Sequence, residues 1–165
     1  MKNTGNLKVE MTGDRAVTMT RVFNAPRQLV WDAFSKPELL KRWFGPRGYS
    51  LSVCEVDHRV GGKWRFVILT PEGKEVGMRG IYQELAPPQR SVHTESFDDF
   101  PGESIVTSVL TEADGKTTMI ATVEYPSREV RDMVAPNMEP GAAESYDKLA
   151  ELLADPVALS SATTV

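Results

Sequence analysis

The sequence contains one cysteine, Cys54, and only two histidines among its 165 residues. A single cysteine excludes an intramolecular disulfide framework. His58 and His93 are far apart in the sequence and fit neither an HxH nor an HExxH pattern, so the usual ligand set of a zinc site is lacking. We therefore expect no metal, no cofactor and no assembled catalytic site.

Long apolar runs and clusters of basic residues are also missing. No segment approaches the ~20 apolar residues that a membrane span needs, and the polar residues 1–13 contain no stretch typical of a signal peptide. The formal net charge of -4, without a basic cluster, argues against a nucleic-acid partner. We expect a cytoplasmic protein without a membrane span. In it Cys54 acts as a small hydrophobe or, alternatively, as a reactive thiol.

The residues that are present favour an antiparallel sheet. Residues 16–23 are rich in β-branched side chains and form the first predicted strand. After it and two helical segments, short connections rich in glycine and proline separate six more strands. The Asp114-Gly115 pair is a strong hairpin signal, because glycine accepts the positive φ of such turns. These six strands are predicted to form a meander, at residues 49–58, 62–70, 75–85, 90–97, 104–111 and 117–125.

Prolines and apolar periodicity mark the helices. One short helix is predicted to begin at Pro26 and a second at Pro37, since the first turn of a helix tolerates a missing N–H. After a helical turn or two over 127–134, Ala135-Pro136 is expected to break the chain, and the long C-terminal helix to begin at Asn137. The apolar stripe of this helix comprises Met138, Ala142, Ser145, Tyr146, Leu149, Leu152 and Leu153.

This order of elements is typical of one α+β domain. We expect residues 14–155 to form the domain, residues 1–13 a flexible N-terminal arm and residues 156–165 a flexible C-terminal tail. Trp64 and Phe66 share one strand face, so one side of the sheet is apolar and needs the long helix as its cover. The spacing leaves open whether the space beneath that helix is a pocket or packed core.

Several motifs occur in an order that resembles a known family. They are Arg21-Val22-Phe23-Asn24-Ala25-Pro26, Val30-Trp31, Trp43-Phe44-Gly45-Pro46, Val60-Gly61-Gly62-Lys63-Trp64-Arg65, Gly80-Ile81-Tyr82, Phe97-Asp98-Asp99, Pro101-Gly102-Glu103-Ser104, Asp114-Gly115-Lys116-Thr117-Thr118 and Met138-Glu139-Pro140-Gly141. Over about residues 15 to 154, the chain resembles bacterial proteins related to the activator of the heat-shock-protein-90 ATPase. The resemblance implies the helix-grip fold of the START and Bet v-like (SRPBCC) superfamily. In that fold a curved seven-stranded antiparallel sheet wraps a long C-terminal helix, and members hold lipids, polyketides or hormones in a central cavity.

Fold alone does not decide the function. The resemblance favours a binding domain that holds a small hydrophobic or aromatic molecule of unknown identity in the cavity. Two alternatives stay open, a cyclase- or hydrolase-type enzyme and a chaperone-regulating interaction protein. The residues predicted to contact the ligand are Trp43, Phe44, Trp64, Phe66, Met78, Tyr82, His93, Glu95, Phe97, Met119, Met138 and Tyr146. Among them, Tyr82, His93, Glu95 and Tyr146 are the candidate polar anchors.

His93 and Glu95 are alternate residues of one predicted strand and therefore share a face with Phe97. On a concave face they become polar groups inside an apolar cavity, where burial raises the pKa of a carboxyl and lowers the pKa of an imidazole. Such a pair can support acid–base chemistry on a bound ketone or ester. The alternative is that both face solvent or serve as satisfied structural groups.

Charged residues elsewhere are interpreted structurally. The spacing of Asp57 and Arg59 predicts a salt bridge beside the Gly61-Gly62 turn. Asp98 and Asp99 stand next to a Phe-Pro-Gly segment, so a loop or capping role is favoured over catalysis.

Overall fold

Eight strands and three helices follow one another in the computed structural model, which describes residues 7–155 together with Val157 and Leu159. The order is β-β-α-α-β6-α, so the predicted α+β class is confirmed. The elements are β1 (Lys8–Thr12), β2 (Ala16–Phe23), α1 (Arg27–Ser35), α2 (Pro37–Trp43), β3 (Ser50–Val56), β4 (Lys63–Leu69), β5 (Glu75–Ala86), β6 (Arg90–Phe97), β7 (Ser104–Ala113), β8 (Lys116–Glu124) and α3 (Arg128–Leu153).

The strands form one antiparallel sheet in the order β1-β2-β8-β7-β6-β5-β4-β3. The six strands predicted as a meander are consecutive in it, and β2 joins them by pairing with β8, where Met19 lies opposite Ala121. The sheet faces α3 and thus gives the helix-grip arrangement. At the β7–β8 hairpin, Asp114 and Gly115 both have a positive φ, which is the turn geometry that their sequence predicts.

β1 is a strand that the sequence analysis did not predict, and it makes the sheet eight-stranded instead of seven-stranded. Residues 8–12, expected in a flexible arm, pair with β2, and Val9 lies opposite Met19. Leu7 and Val9 are buried in the core. The edge of β2 supplies unpaired backbone groups that β1 satisfies, a stabilisation that local composition does not reveal.

The C-terminal end differs from the prediction in two ways. The helix predicted to begin at Asn137 is one continuous helix, α3, which starts nine residues earlier and runs through Pro136 and Pro140. Ser127 caps its N-terminus by accepting a hydrogen bond from the backbone N–H of Val130. Leu159, predicted in a flexible tail, is buried against the core, whereas most of that tail lies outside the described residues.

Tertiary contacts explain why α3 tolerates its internal prolines. Ala135, immediately before Pro136, is buried, and the buried guanidinium of Arg131 donates a hydrogen bond of 2.9 Å to the carbonyl oxygen of Ala16. A proline inside a helix removes one backbone hydrogen bond and costs about 3 kcal/mol. These contacts with β2 hold the first half of α3 in place and offset that cost.

Candidate ligand cavity

A cavity of about 360 Å³ lies between the sheet and α3. Strands β4 to β8 form one wall, and the middle of α3 forms the opposite wall through Met138, Ala142 and Tyr146. Trp31 and Phe34 of α1 and Trp43 of α2 close one end. The space beneath the long helix, which the sequence left undecided, is therefore open in this structure.

All twelve predicted ligand-contacting side chains line this cavity, so the structure brings together the whole predicted set. They come from α2 and the loop after it (Trp43, Phe44), β4 (Trp64, Phe66), β5 (Met78, Tyr82), β6 (His93, Glu95, Phe97), β8 (Met119) and α3 (Met138, Tyr146). Their role in binding stays a prediction.

Aromatic rings contact one another around the cavity wall. On one side, the imidazole of His58 makes edge contacts with Trp31 and with Tyr82, at centroid distances of 5.5 and 5.1 Å. His93 then contacts Tyr82 at 6.1 Å and Trp64 at 5.5 Å. These contacts hold two imidazoles against flat apolar surfaces.

A second set of rings continues from the sheet to the helices. Phe66 contacts Phe44 at a centroid distance of 5.0 Å, and Trp43 stacks on Tyr146 at 6.1 Å. The indole N–H of Trp43 donates a hydrogen bond of 2.9 Å to the carbonyl oxygen of Ala33, which fixes the ring. The cavity therefore presents many ring surfaces with restricted freedom.

The loop after α2 is fastened to α3. The Ser145 hydroxyl accepts a hydrogen bond of 2.7 Å from the backbone N–H of Gly45 and donates one of 3.3 Å to the carbonyl oxygen of Trp43. Lys148 donates from its Nζ to the carbonyl oxygen of Gly45, at 3.2 Å. Gly45 has φ +96°, a conformation that favours glycine. These bonds position Phe44 at the cavity.

Several lining residues were not among the twelve. Trp31 and Phe34 lie on the apolar face of α1, and their periodicity is the signal that could have selected them. Tyr125 continues the alternation of Met119 and the residues that follow it on β8, so its inward position was also predictable. His58 was expected on a strand but lies in the loop after β3, and no local pattern places it in the cavity.

Two ionisable groups on β6 have strongly altered acidity. Burial lowers the pKa of His93 from 6.5 to about 4, and burial raises the pKa of Glu95 from 4.5 to about 7. Both therefore favour their uncharged forms, as expected for polar groups on the concave face. The direction of each shift agrees with the sequence expectation for buried side chains.

The other titratable side chains of the cavity are also held neutral. Burial lowers the pKa of His58 and raises the pKa of Tyr82. Burial, reinforced by the charge of Glu95, raises the pKa of Tyr125 and of Tyr146 to about 12. These phenols remain protonated at physiological pH and can donate hydrogen bonds.

Trp64 combines close packing with an unpaired donor. Its indole Nε1 is buried without a hydrogen-bond partner among the described residues. A Cβ atom at Gly80, on the neighbouring strand β5, would lie only 2.5 Å from that nitrogen and 1.8 Å from the carbonyl oxygen of Thr94. A glycine is therefore required at position 80 because neighbouring atoms approach its Cα too closely for a side chain.

Charged groups outside the cavity have structural partners. The Nε of Arg59 donates to the Asp57 carboxylate at 2.9 Å, which confirms the predicted salt bridge. Asp98 accepts hydrogen bonds from both Arg65 and Arg79 on the opposite face of the sheet, so its role is an ion pair rather than a cap.

Cys54 is half-buried, and burial raises the pKa of its thiol to about 11, which favours the hydrophobe interpretation over a reactive thiol. Among the described residues, no three His, Cys, Asp or Glu side chains come together as a metal site would require. No helix in the described part of the chain is long and apolar enough to cross a membrane.

Comparison with known proteins identifies the family. The family model of the activator of Hsp90 ATPase homolog 1-like proteins matches residues 24–154. The chain belongs to this family. The resemblance predicted from the sequence motifs is thereby confirmed, and so is the helix-grip fold of the wider SRPBCC superfamily. No protein among those with curated functions matches the chain significantly.

Several solved structures have the same fold as this chain. A protein from Rhodobacter sphaeroides is 30% identical, with a TM-score of 0.86 over 91% of this chain and 99% of that one. One from Chromobacterium violaceum is also 30% identical, with a TM-score of 0.78 over 86% and 98% of the two chains. An HSP90 activator from Plasmodium falciparum is 25% identical, with a TM-score of 0.54 over 67% of this chain and 72% of that one.

Proposed function

We propose that this protein binds a small hydrophobic or aromatic molecule in the cavity between the sheet and α3. The observation that carries the proposal is the open, ring-lined cavity of about 360 Å³ in the middle of the fold. Ligand sites of proteins span roughly 300–1,000 Å³ and are mostly apolar with a few polar groups. A volume near the lower limit favours a molecule of two or three fused or linked rings over a long-chain lipid.

The expected affinity follows from the apolar surface that such a molecule loses. Burying ~300 Å² of apolar surface contributes about 7 kcal/mol at 25 cal/mol per Å², before the entropic costs of association. That amount supports dissociation constants in the micromolar range or weaker. Polar anchors such as Tyr82 and Tyr146 would add selectivity, because both hydroxyl-bearing rings line the cavity.

Tryptophan fluorescence tests the proposal directly. All three tryptophans of the chain, Trp31, Trp43 and Trp64, line the cavity, so their emission responds to an occupant. Titration with naphthalene- and flavone-type probes should give a saturable change in emission. An absence of saturable response to every probe would contradict the proposal.

A matched pair of variants separates binding in the cavity from binding elsewhere. Ser108→Phe places a ring into the cavity from β7, whereas Thr111→Phe places the same ring on the exposed face of the same strand. Ser108→Phe should weaken probe binding about tenfold or more, and Thr111→Phe should leave it unchanged. Mass spectrometry of small molecules that copurify with the unaltered protein would identify the natural ligand.

A second candidate function is regulation of a chaperone. It is favoured by the structural similarity to the HSP90 activator from Plasmodium falciparum. The corresponding test measures the ATPase rate of the host's own Hsp90-type chaperone with and without this protein. The hypothesis of chaperone regulation would be wrong if that rate did not change and a pull-down recovered no chaperone. The enzymatic alternative, with His93 and Glu95 as acid and base, stays a prediction.

A further inference from the structure

Glu95 gives the cavity an unusual electrostatic character. Among the described residues that line the cavity, it is the only acidic side chain, and no lysine or arginine lines the cavity with it. Any negative charge on Glu95 therefore has no positive side chain beside it in the cavity wall.

The carboxyl of Glu95 also lacks a partner. No hydrogen bond or salt bridge from another described residue reaches it, whereas Asp98 is bound by two arginines on the other face of the sheet. A buried carboxylate without a partner is unfavourable, and a protein normally pairs or removes such a group. An unpaired acid that faces an open cavity is therefore available to a ligand.

The other titratable side chains that line the cavity do not supply a cation. They are His93 on β6, Tyr82 on β5, His58 in the loop after β3, Tyr125 after β8 and Tyr146 on α3. Burial disfavours the charged form of each, so both imidazoles and all three phenols stay neutral near pH 7. Arg21 acts on Tyr146 electrostatically, but its guanidinium is bound to Asp147.

The remaining wall is suited to positive charge because ten of its 31 lining residues are phenylalanine, tryptophan or tyrosine. The faces of these rings attract cations electrostatically, and most strongly where water is excluded. We propose that the occupant of the cavity is a small amine, with its ammonium group against Glu95 and its apolar part among the rings of Trp64, Phe66 and Tyr146. This inference rests on the proposed ligand-binding function and specifies the chemical class of the ligand.

Three shape-matched probes test the inference by isothermal titration calorimetry. They are 1-naphthylmethylamine, 1-naphthalenemethanol and 1-naphthoate, which carry a positive, a neutral and a negative group on the same ring system. At pH 8 the amine should bind at least about tenfold more tightly than the alcohol, because it gains a charge-assisted contact with Glu95. The carboxylate should bind more weakly than the alcohol, since it meets a like charge.

Glu95→Gln is the decisive variant, because it keeps the shape of the side chain and removes the charge. It should bring the affinity for the amine to within about threefold of the affinity for the alcohol measured on the same variant. Glu103→Gln makes the same change at an exposed position outside the cavity and should retain the full preference for the amine.

A pH comparison tests the same point without any substitution. With a pKa of about 7, Glu95 is mostly protonated at pH 6 and mostly ionised at pH 8. The ratio of amine affinity to alcohol affinity should therefore rise roughly tenfold between these two values. In Glu95→Gln this ratio should be flat, which separates Glu95 from the two histidines.

The outcomes distinguish the two proposals. The cation inference is wrong if the alcohol binds and the amine binds no more tightly than the alcohol. It is also wrong if the tighter binding of the amine persists in Glu95→Gln or does not depend on pH. In each of these cases the proposal of a hydrophobic ligand cavity stands. If neither these probes nor other hydrophobic probes bind, the proposed function itself is wrong. If Glu95→Gln does not fold, the pH comparison on the unaltered protein decides.

Discussion

The guanidinium of Arg21 on β2 lies 2.7 Å from the carboxylate of Asp147 on α3, measured between Nη1 and Oδ1. The Arg21 side chain is only 6% exposed, although it carries a full charge. Its Nε has no partner among the described residues, and its Cζ lies 5.5 Å from the centre of the Phe23 ring. Asp147 is therefore the main counter-ion of the Arg21 guanidinium, which is buried between the sheet and α3.

Asp147→Ala should destabilise the protein strongly, because it leaves this guanidinium buried and unpaired. We expect a loss of about 3 kcal/mol in the free energy of unfolding, measured by urea denaturation. The double variant Arg21→Met/Asp147→Ala should recover much of that loss. As a matched control, Glu151→Ala breaks the exposed pair with Arg47 and should cost much less, because solvent and salt screen that pair. Equal losses for Asp147→Ala and Glu151→Ala would contradict the argument.

Glu95→Gln should stabilise the protein at high pH. The pKa of Glu95 is about 7 in the folded chain against 4.5 as its ordinary value, so the folded state binds a proton that the unfolded state has released. The stability of the unaltered protein therefore falls as the pH rises from 4.5 to 7, by as much as about 3 kcal/mol. The gain from Glu95→Gln should be small at pH 4 and larger at pH 8, as urea midpoints at the two values would measure.

His93→Gln should have the opposite dependence on pH. The pKa of His93 is about 4 in the folded chain and 6.5 ordinarily, so the unfolded chain binds a proton that the folded chain excludes. Acid therefore favours unfolding, by as much as about 3 kcal/mol between pH 6.5 and 4. Relative to the unaltered protein, His93→Gln should be most stabilising near pH 4. A relative stability that does not change between pH 4 and 8 would refute the burial of His93.

Gly80→Ala should disrupt the sheet beside the cavity. The new Cβ would overlap the backbone carbonyl of Thr94 and the indole of Trp64, and the carbonyl cannot move without breaking strand pairing. We expect a loss of about 3 kcal/mol or more in the free energy of unfolding. Gly73→Ala is the control: its Cβ meets open space, and its φ of +88° alone should cost about 1 kcal/mol. Denaturation of both variants in parallel would show whether steric overlap dominates.

Much of the fold was predictable from local pattern. The first long strand was predicted over residues 16–23, and β2 occupies the same residues, because β-branched side chains and alternation are properties of the segment itself. β1 was missed because it is short and half polar, and pairing with β2 is what orders it. The break expected at Pro136 did not occur, because burial of Ala135 and Arg131 is a tertiary effect.

The candidate site was predictable to the extent that strand alternation decides which side chains face inward. That rule, with the family resemblance, placed His93, Glu95 and Phe97 on the cavity side of β6. It could not place His58, since a loop residue has no alternating neighbours to orient it. Nor could it decide between a pocket and packed core, because an internal volume depends on how distant elements fit together.

The two prolines inside α3 have a mechanical consequence. Neither Pro136 nor Pro140 has an N–H, so the carbonyls of Asp132 and Pro136 lose the partner that the residue four positions later would supply. The cavity wall formed by α3 therefore has fewer backbone hydrogen bonds over this stretch, which includes the lining residue Met138. If the proposed ligand binds, we expect a guest bulkier than the resting volume to be accommodated by bending of α3 at these prolines, because hydrogen bonds of Ser145 and Lys148 hold the C-terminal half of the helix in place.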